Sequence, residues 1–196
     1  MGKLTRSLPN PHGYNLKTQR RVASFAAQLD DQLALLKKEC NGLTTKQLEW
    51  QLKPGMNTAG MLLAHLAVVE VFWLNVAVHE IADETAIDKL SIKYIGIAMD
   101  DDGLPLKPEG KHPQTLAGWK LETYWKTLTS ARKAVHKELR TWKDSDLSKT
   151  YKRKKYTISR EWTVYHVLEH FAGHFGQILL LKHMMRDAGV LAPKAE

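Results

Sequence analysis

Cysteine is nearly absent from this chain, which contains only Cys40 among its 196 residues. A single cysteine cannot form a disulfide within the chain, and a CxxC redox pair is excluded for the same reason. Cys40 follows the apolar residues of a predicted helix at helical spacing. We therefore expect its side chain to be a small buried hydrophobic group rather than a reactive thiol.

Long hydrophobic runs are also lacking. The longest, MLLAHLAVVEVFWL, is interrupted by His65 and Glu70 and is too short for a typical membrane span. The first residues, MGKLTRSLPNPHGY, lack the apolar stretch and small-residue cleavage site that a secretory signal requires. These two observations predict a soluble, cytoplasmic protein with no membrane partner.

Several motifs that would indicate a function are missing. No glycine-rich phosphate loop and no nucleophile elbow occurs, so neither a nucleotide enzyme nor a serine hydrolase is supported. Basic residues exceed acidic ones by 29 to 21, and the resulting net charge of +8 is typical of proteins that bind nucleic acid. However, the one dense basic cluster, KRKK at 152–155, has no aromatic residues arranged for base stacking. We interpret it as a solvated loop and expect no nucleic-acid partner.

Helical periodicity is abundant. Four segments carry apolar residues at steps of three and four, and they predict helices over about residues 18–40, 58–82, 115–142 and 160–187. Asn57 or Thr58 is expected to cap the second helix. Most glycine and proline signals fall in the long connection after about Ala82. The predicted fold class is all-α, a four-helix bundle with a long crossover between helices two and three, in a single domain over 1–196. YKRKKYTIS alternates weakly and is compatible with a small hairpin.

Three histidines recur at four-residue intervals in the last helix: His166, His170 and His174. Residues four apart on an α-helix differ in direction by only about 40°, so two such imidazoles can point at one metal ion. The spacing alone permits either neighbouring pair. A third ligand is expected from another helix, and His65 is the best candidate because it interrupts the apolar row of helix two. An imidazole buried there without a partner would cost on the order of a few kcal/mol.

Plainer interpretations exist for each of these residues. A lone histidine on an apolar face is usually a hydrogen-bonded core residue, and the same reading applies to His65 taken alone. His166 lies nearer the start of its helix, and we expect it outside the ligand set, near the ligands or the substrate. Glu70 and Glu169 adjoin the proposed ligands, and a carboxylate can orient an imidazole or act as a base. Glu169 points about 100° away from His170, so we expect it at the surface.

Two segments together match a known pattern: NTAGMLLAHLAVVEVFW in helix two and HVLEHFAGHFGQILLLK in helix four. The chain resembles the DinB-like family of metalloenzymes over about residues 18–188. The resemblance implies a four-helix bundle that holds a divalent metal ion with one histidine of helix two and an H-x-x-x-H pair of helix four. In this sequence these are His65, His170 and His174, and the Gly176-Gln177 that follows supports this register. The resemblance also implies a homodimer.

The same resemblance implies a function. Family members include thiol-dependent S-transferases and isomerases, which points to a metal-dependent thiol S-transferase or hydrolase acting on a small electrophilic substrate with a low-molecular-weight thiol. Three imidazoles leave a coordination position open for water or a thiol, and they suit zinc or nickel best, with manganese or iron as further options. The rival readings are a non-catalytic metal- or small-ligand-binding stress-response protein and a purely structural bundle whose histidines belong to the core.

Overall fold

The protein is described by a computed structural model that covers residues 7–8 and 11–192. This part of the chain is mostly helical, as predicted, with one small antiparallel sheet. The elements in chain order are α1 (Arg20–Cys40), α2 (Thr45–Leu48), α3 (Ala59–Val71), α4 (Glu84–Ile95), α5 (Leu121–Leu139), β1 (Thr150–Arg153), β2 (Tyr156–Ser159) and α6 (Arg160–Asp187). Most of MGKLTRSLPN, on which the expectation about a secretory signal rests, lies outside the described residues.

The ends of the long helices follow local sequence signals. Helix α1 stops at Cys40, and Gly42 just beyond it adopts a φ of +80° that favours glycine. Of the two candidate caps for α3, Thr58 performs the role, because its side chain accepts a hydrogen bond from the Met61 amide at 3.0 Å. Ser159 caps α6 in the same way, through the Trp162 amide at 3.1 Å.

Helices α1, α3, α5 and α6 pack around the core. Helices α1 and α3 each contact both α5 and α6, and the predicted apolar rows of these helices point inward, with Leu29, Leu62, Leu128 and Ile178 all fully buried. Cys40 is also fully buried, as expected, and burial raises the pKa of its thiol to about 12. The interpretation of Cys40 as a hydrophobic core residue is confirmed.

Helix α3 is more deeply enclosed than one apolar stripe predicts. Every residue of α3 except His65 is buried, which is the pattern of a helix covered on all sides. Helices α4, α5 and α6 each contact it. By length and composition the segment Ala59–His79 could cross a membrane, but 78% of its most apolar window is buried inside this fold, as in the core helix of a globular protein.

The helical path continues beyond α3 in a different form. A π-helical segment, Phe72–Val76, and a 3-10 turn, Ala77–His79, follow directly. The path ends at His79, three residues before the predicted limit, because Glu80 adopts a left-handed conformation with a φ of +53°. The Glu80 carboxylate then accepts a hydrogen bond from the Lys152 amide at 2.9 Å, which ties this end to β1.

The long connection is not irregular throughout, and the sequence-based expectation is wrong for its first part. Helix α4 forms there because the Asp83 side chain caps the Ala86 amide at 2.7 Å, and Gly96 closes the helix with a φ of +81°. The chain after α4 then crosses the open side of α3. Its position brings Asp102 beside His65.

The basic cluster belongs to a hairpin rather than to a loop. Strands β1 and β2 pair from Thr150↔Ser159 to Arg153↔Tyr156 and leave a two-residue turn between them. The hairpin indicated by YKRKKYTIS is thus confirmed, and the interpretation of the cluster as a solvated loop is wrong for Arg153. The guanidinium of Arg153 lies over the Phe72 ring at 4.2 Å.

Candidate metal centre

Three imidazoles from two helices converge between α3 and α6. His65 Nε2 lies 3.2 Å from His170 Nε2, and His174 Nε2 lies 3.1 Å from the same atom. The ligand atoms of all three side chains fall within 4.8 Å of one another, close enough to hold one metal ion. The structure therefore brings together the three histidines that the sequence singled out.

The opposite nitrogens of two of these rings are held by oxygen acceptors. His65 Nδ1 donates a hydrogen bond to Asp102 Oδ2 at 2.7 Å, and His174 Nδ1 donates to Gln177 Oε1 at 2.9 Å. An ionised carboxylate and an amide oxygen only accept, so each Nδ1 carries the proton. In a neutral imidazole the Nε2 atom then presents a lone pair. Both lone pairs face His170.

The donor set fits a cation. His170 Nε2 can donate at most one proton, so it cannot satisfy the two lone pairs of His65 and His174 together. A buried acceptor without a donor costs about 1–3 kcal/mol, and a shared metal ion removes this cost. Two nitrogens bound tetrahedrally at the usual zinc distance of about 2.0–2.1 Å lie about 3.3 Å apart, which is close to the observed 3.1 and 3.2 Å.

Burial favours the neutral form of His170 and His174. Burial lowers the pKa of His170 to about 3, and charge on His174 or His65 would lower it further. Burial also lowers the pKa of His174, against the hydrogen bond from its ring to Gln177. Neutral imidazoles are the form that binds a metal ion.

Comparison with known proteins identifies the family. The sequence profile described as mycothiol-S-transferase matches residues 24–186, which is most of the chain. The chain belongs to the mycothiol-S-transferase family. The resemblance to DinB-like proteins is thereby confirmed. No curated protein matches this sequence.

Two solved structures share the fold of this family member. One is a DinB-like protein from Bacillus cereus, with 21% identity and a TM-score of 0.51, and the alignment covers 87% of this chain and 96% of that one. The other is a conserved protein from Enterococcus faecalis, with 13% identity and a TM-score of 0.58, and the alignment covers 81% and 92%. At these identities the likeness concerns the fold alone.

Two cavities open beside the histidine cluster, which we define as His65, His170 and His174, in this member of the mycothiol-S-transferase family. One, of about 360 Å³, is lined by His65 and His174 together with Asn57 and Leu104. The other, of about 440 Å³, lies on the far side of His65, where Asp102, Met99 and Arg153 contribute to its wall. The cluster is thus reachable from outside, and its half-buried imidazoles are not sealed in the core.

The remaining candidates lie outside the cluster. His166 is not among the convergent ligands; its ring stacks on Trp162 with a centroid distance of 4.6 Å and an interplanar angle of 10°. Glu169 is largely exposed, as predicted, and lies 3.4 Å from His166 Nδ1. Glu70 neither orients an imidazole nor faces a cavity, because its carboxylate forms a buried ion pair with Arg132 at 2.6 Å. The suggestion of a role for Glu70 at the metal centre is therefore wrong.

Asp102 is a residue of the candidate site that sequence reasoning missed. It is only 2% exposed, and its second oxygen accepts a hydrogen bond from the Leu104 amide at 2.9 Å. It stands in the run DDDGLPLKPEG, where three consecutive aspartates look alike and resemble a solvated turn. One signal was available: the ring nitrogen of a ligating histidine that does not bind the metal ion usually donates a hydrogen bond to an oxygen atom.

Proposed function

We propose that this protein is a divalent-metal-dependent S-transferase in which His65, His170 and His174 hold the metal ion. The observation that carries the proposal is the convergence of three Nε2 atoms, with His170 Nε2 lying 3.2 Å from His65 Nε2 and 3.1 Å from His174 Nε2. Zinc or nickel suits three imidazoles best. A divalent ion at this position would lower the pKa of a bound thiol or water and leave room for either one.

The proposed thiol substrate is a small one, and the family name indicates mycothiol. The chain's own residues would act by positioning. Asp102 and Gln177 hold two imidazoles in the orientation that faces the ion, while Asn57 and Leu104 line the cavity through which a thiol would approach. Transfer requires that the thiol give up its proton to solvent and that its sulfur form a bond to an electrophilic carbon of a second substrate. The electron pair of the bond broken at that carbon goes to a departing chloride, to the oxygen of an opened epoxide or to the neighbouring carbon of an alkene, and the last two then take up a proton.

We propose one domain over 1–196 with its core at about 18–188, built as a four-helix bundle from α1, α3, α5 and α6 with a crossover between α3 and α5. We also propose a cytoplasmic homodimer. Sedimentation equilibrium should give the mass of two chains, and the mass of one chain would contradict the dimer.

The test of the activity is thiol consumption. Purified protein is mixed with mycothiol and a panel of chloroarenes, epoxides and activated alkenes, with and without a chelator. We expect turnover that the chelator abolishes and that added zinc or nickel restores. The variant His170→Ala should lose more than about 100-fold in kcat/KM, because removing a ligand costs at least as much as removing its supporting hydrogen bond.

The control is His183→Ala. His183 lies on the same helix but is exposed and outside the cluster, so this variant should keep wild-type turnover. Turnover that is absent across the panel, with the metal bound, would favour a non-catalytic metal-binding protein instead. Turnover that the chelator leaves unchanged would contradict a metal-dependent reaction.

A further inference from the structure

A separate cavity of about 760 Å³ lies between the hairpin and the first turns of α6. We call it the hairpin pocket and define it by six of its lining residues: Trp73, Arg153, Lys154, Tyr156, Trp162 and His166. Its volume is within the range of about 300–1,000 Å³ that small-molecule sites occupy. Neither the histidine cluster nor its two cavities account for it.

Aromatic rings form one wall of the hairpin pocket. Trp73 and Trp162 meet edge to face at 5.5 Å, and the His166 ring lies 5.0 Å from Trp73. Trp162 is 42% exposed although it adjoins this apolar cluster. Indole faces that are held by their neighbours and remain accessible suit a planar ring, because such rings pair at centroid distances of about 4.5–7 Å.

Positive charge forms another wall. Arg153 and Lys154 line the hairpin pocket, and no acidic residue does. The Arg153 guanidinium lies against aromatic rings, 4.2 Å from the Phe72 centroid and 5.8 Å from the Trp73 centroid. It has no ion-pair partner among residues 7–8 and 11–192. A fixed guanidinium of this kind binds the oxygens of a carboxylate, sulfonate or phosphate.

The hairpin pocket adjoins the histidine cluster. Arg153 also lines the cavity of about 440 Å³ whose wall includes His65 and Asp102, so this side chain borders both spaces. On the other flank, the His166 ring that lines the pocket lies 5.9 Å from the His170 ring. A ligand seated against Trp162 is therefore one imidazole away from the cluster.

We infer that the hairpin pocket binds a planar aromatic anion and that this molecule is the electrophile which accepts the thiol. The role of this molecule as the electrophile rests on the proposed function, whereas its binding in the hairpin pocket does not. With a chloroarene as the acceptor, the thiolate sulfur forms a bond to the ring carbon, and the carbon–chlorine bond breaks as chloride leaves with its electron pair.

Binding is tested with a matched pair of fluorescent probes. The first, 8-anilinonaphthalene-1-sulfonate, carries an anion, whereas N-phenyl-1-naphthylamine has the same rings without it. We expect wild-type protein to bind the sulfonate about tenfold more tightly, since a charge-assisted hydrogen bond contributes at least about 1.4 kcal/mol, which is tenfold in affinity. The variant Trp162→Leu should bind both probes more weakly.

The charge is tested at Arg153. The variant Arg153→Gln should remove the preference for the sulfonate, and Arg153→Lys should keep part of it. Lys152→Gln removes a charge from the same strand at a residue that does not line the pocket, so it should bind as wild type does. The anion site would be overturned if wild-type protein bound both probes with equal affinity. It would also be overturned if Arg153→Gln and Lys152→Gln showed the same preference for the sulfonate.

A kinetic comparison tests the acceptor role. The electrophiles are 4-chloro-3,5-dinitrobenzoate and its uncharged analogue 1-chloro-2,6-dinitrobenzene, with mycothiol as the thiol. We expect a kcat/KM about tenfold higher for the benzoate and no such preference in Arg153→Gln. Turnover of both without preference would refute the acceptor role alone. If neither chloroarene reacts while other electrophiles of the panel are turned over, the acceptor role alone fails. If no electrophile of the panel reacts while the sulfonate still binds, the proposed transferase activity and the acceptor role fall together, and the anion site stands.

Discussion

Asp102 accepts hydrogen bonds from two groups at once, the His65 ring and the Leu104 amide. The carboxylate therefore has little freedom to turn, and it keeps the proton of His65 on Nδ1. Because the tautomer decides which nitrogen can bind a cation, Asp102 acts on the centre through His65. It is a positioning residue rather than a ligand, since it is absent from the convergent set.

Asp102→Asn should lower the affinity for zinc by about 10–100-fold. The amide can still accept a hydrogen bond but no longer supplies the negative charge that raises the basicity of the imidazole. Competition with a chromophoric chelator measures the affinity. Asp100→Asn is the matched control, because Asp100 lines the same cavity and is exposed. Equal losses in both variants would show that cavity charge, not the contact with His65, sets the affinity.

The Asp30 carboxylate is expected to affect the stability of the folded protein at low pH. Burial would raise its pKa, but the hydrogen bond and charge of His136, followed by the charge of Arg132, outweigh burial, and the pKa of Asp30 lies below its ordinary value. A carboxyl group whose pKa is lowered by folding stabilises the folded state. This stabilisation is complete when the pH is above the pKa of the group in the unfolded chain, about 3.9, and it is lost as the pH falls through the pKa of the group in the folded protein. Acid should therefore weaken the fold partly through Asp30.

The variant Asp30→Asn should lose less of its free energy of unfolding than wild type does between about pH 5 and pH 3. Urea unfolding at a series of pH values measures the slope. Asp31→Asn removes a neighbouring carboxylate that forms no ion pair within the described part of the chain, and it should follow wild type. If both variants show the wild-type slope, Asp30 contributes nothing to acid unfolding.

Helices α3 and α5 are joined by a buried ion pair as well as by apolar packing. Glu70 of α3 is 1% exposed and Arg132 of α5 is 4% exposed, and two hydrogen bonds of 2.6 and 3.1 Å connect them. Arg132 also donates to Asp30 of α1 at 3.1 Å. One guanidinium thus links three helices.

Removing one partner of this pair should be costly. Arg132→Met leaves the Glu70 carboxylate buried without a counter-charge, and we expect a loss of about 3–5 kcal/mol in the free energy of unfolding. The double variant Glu70→Leu with Arg132→Met removes both charges and should recover most of that loss. Urea unfolding measures both, with the exposed neighbour Lys133→Met as the control. A double variant no more stable than Arg132→Met alone would contradict this account.

The helices were predictable where a local pattern determines the structure. The rows through Leu29, Leu128 and Ile178 have the helical period and are buried as that period requires. Helix α4 was missed because its apolar residues are few and a glycine- and proline-rich stretch follows it. Its formation depends on a cap at Asp83 and on packing against α3, and the packing is not visible in one segment.

The same distinction holds for the candidate site. His170 and His174 lie on one helix, so their spacing alone predicts that they can share a ligand. The involvement of His65 needed a second segment and became specific through the family resemblance. Asp102 and the hairpin pocket depend on contacts between segments distant in sequence, such as His65 with Asp102 and Arg153 with Phe72. No periodicity encodes contacts of that kind.

The proposed chemistry of this protein requires one metal ion held between α3 and α6. The direct measurement is the metal content of untagged protein, by mass spectrometry, after equilibration with zinc or nickel and removal of the free ion. We predict about one ion per chain for wild type and for His183→Ala, and almost none for His170→Ala. A wild-type protein without bound metal, or an unchanged content in His170→Ala, would contradict the account.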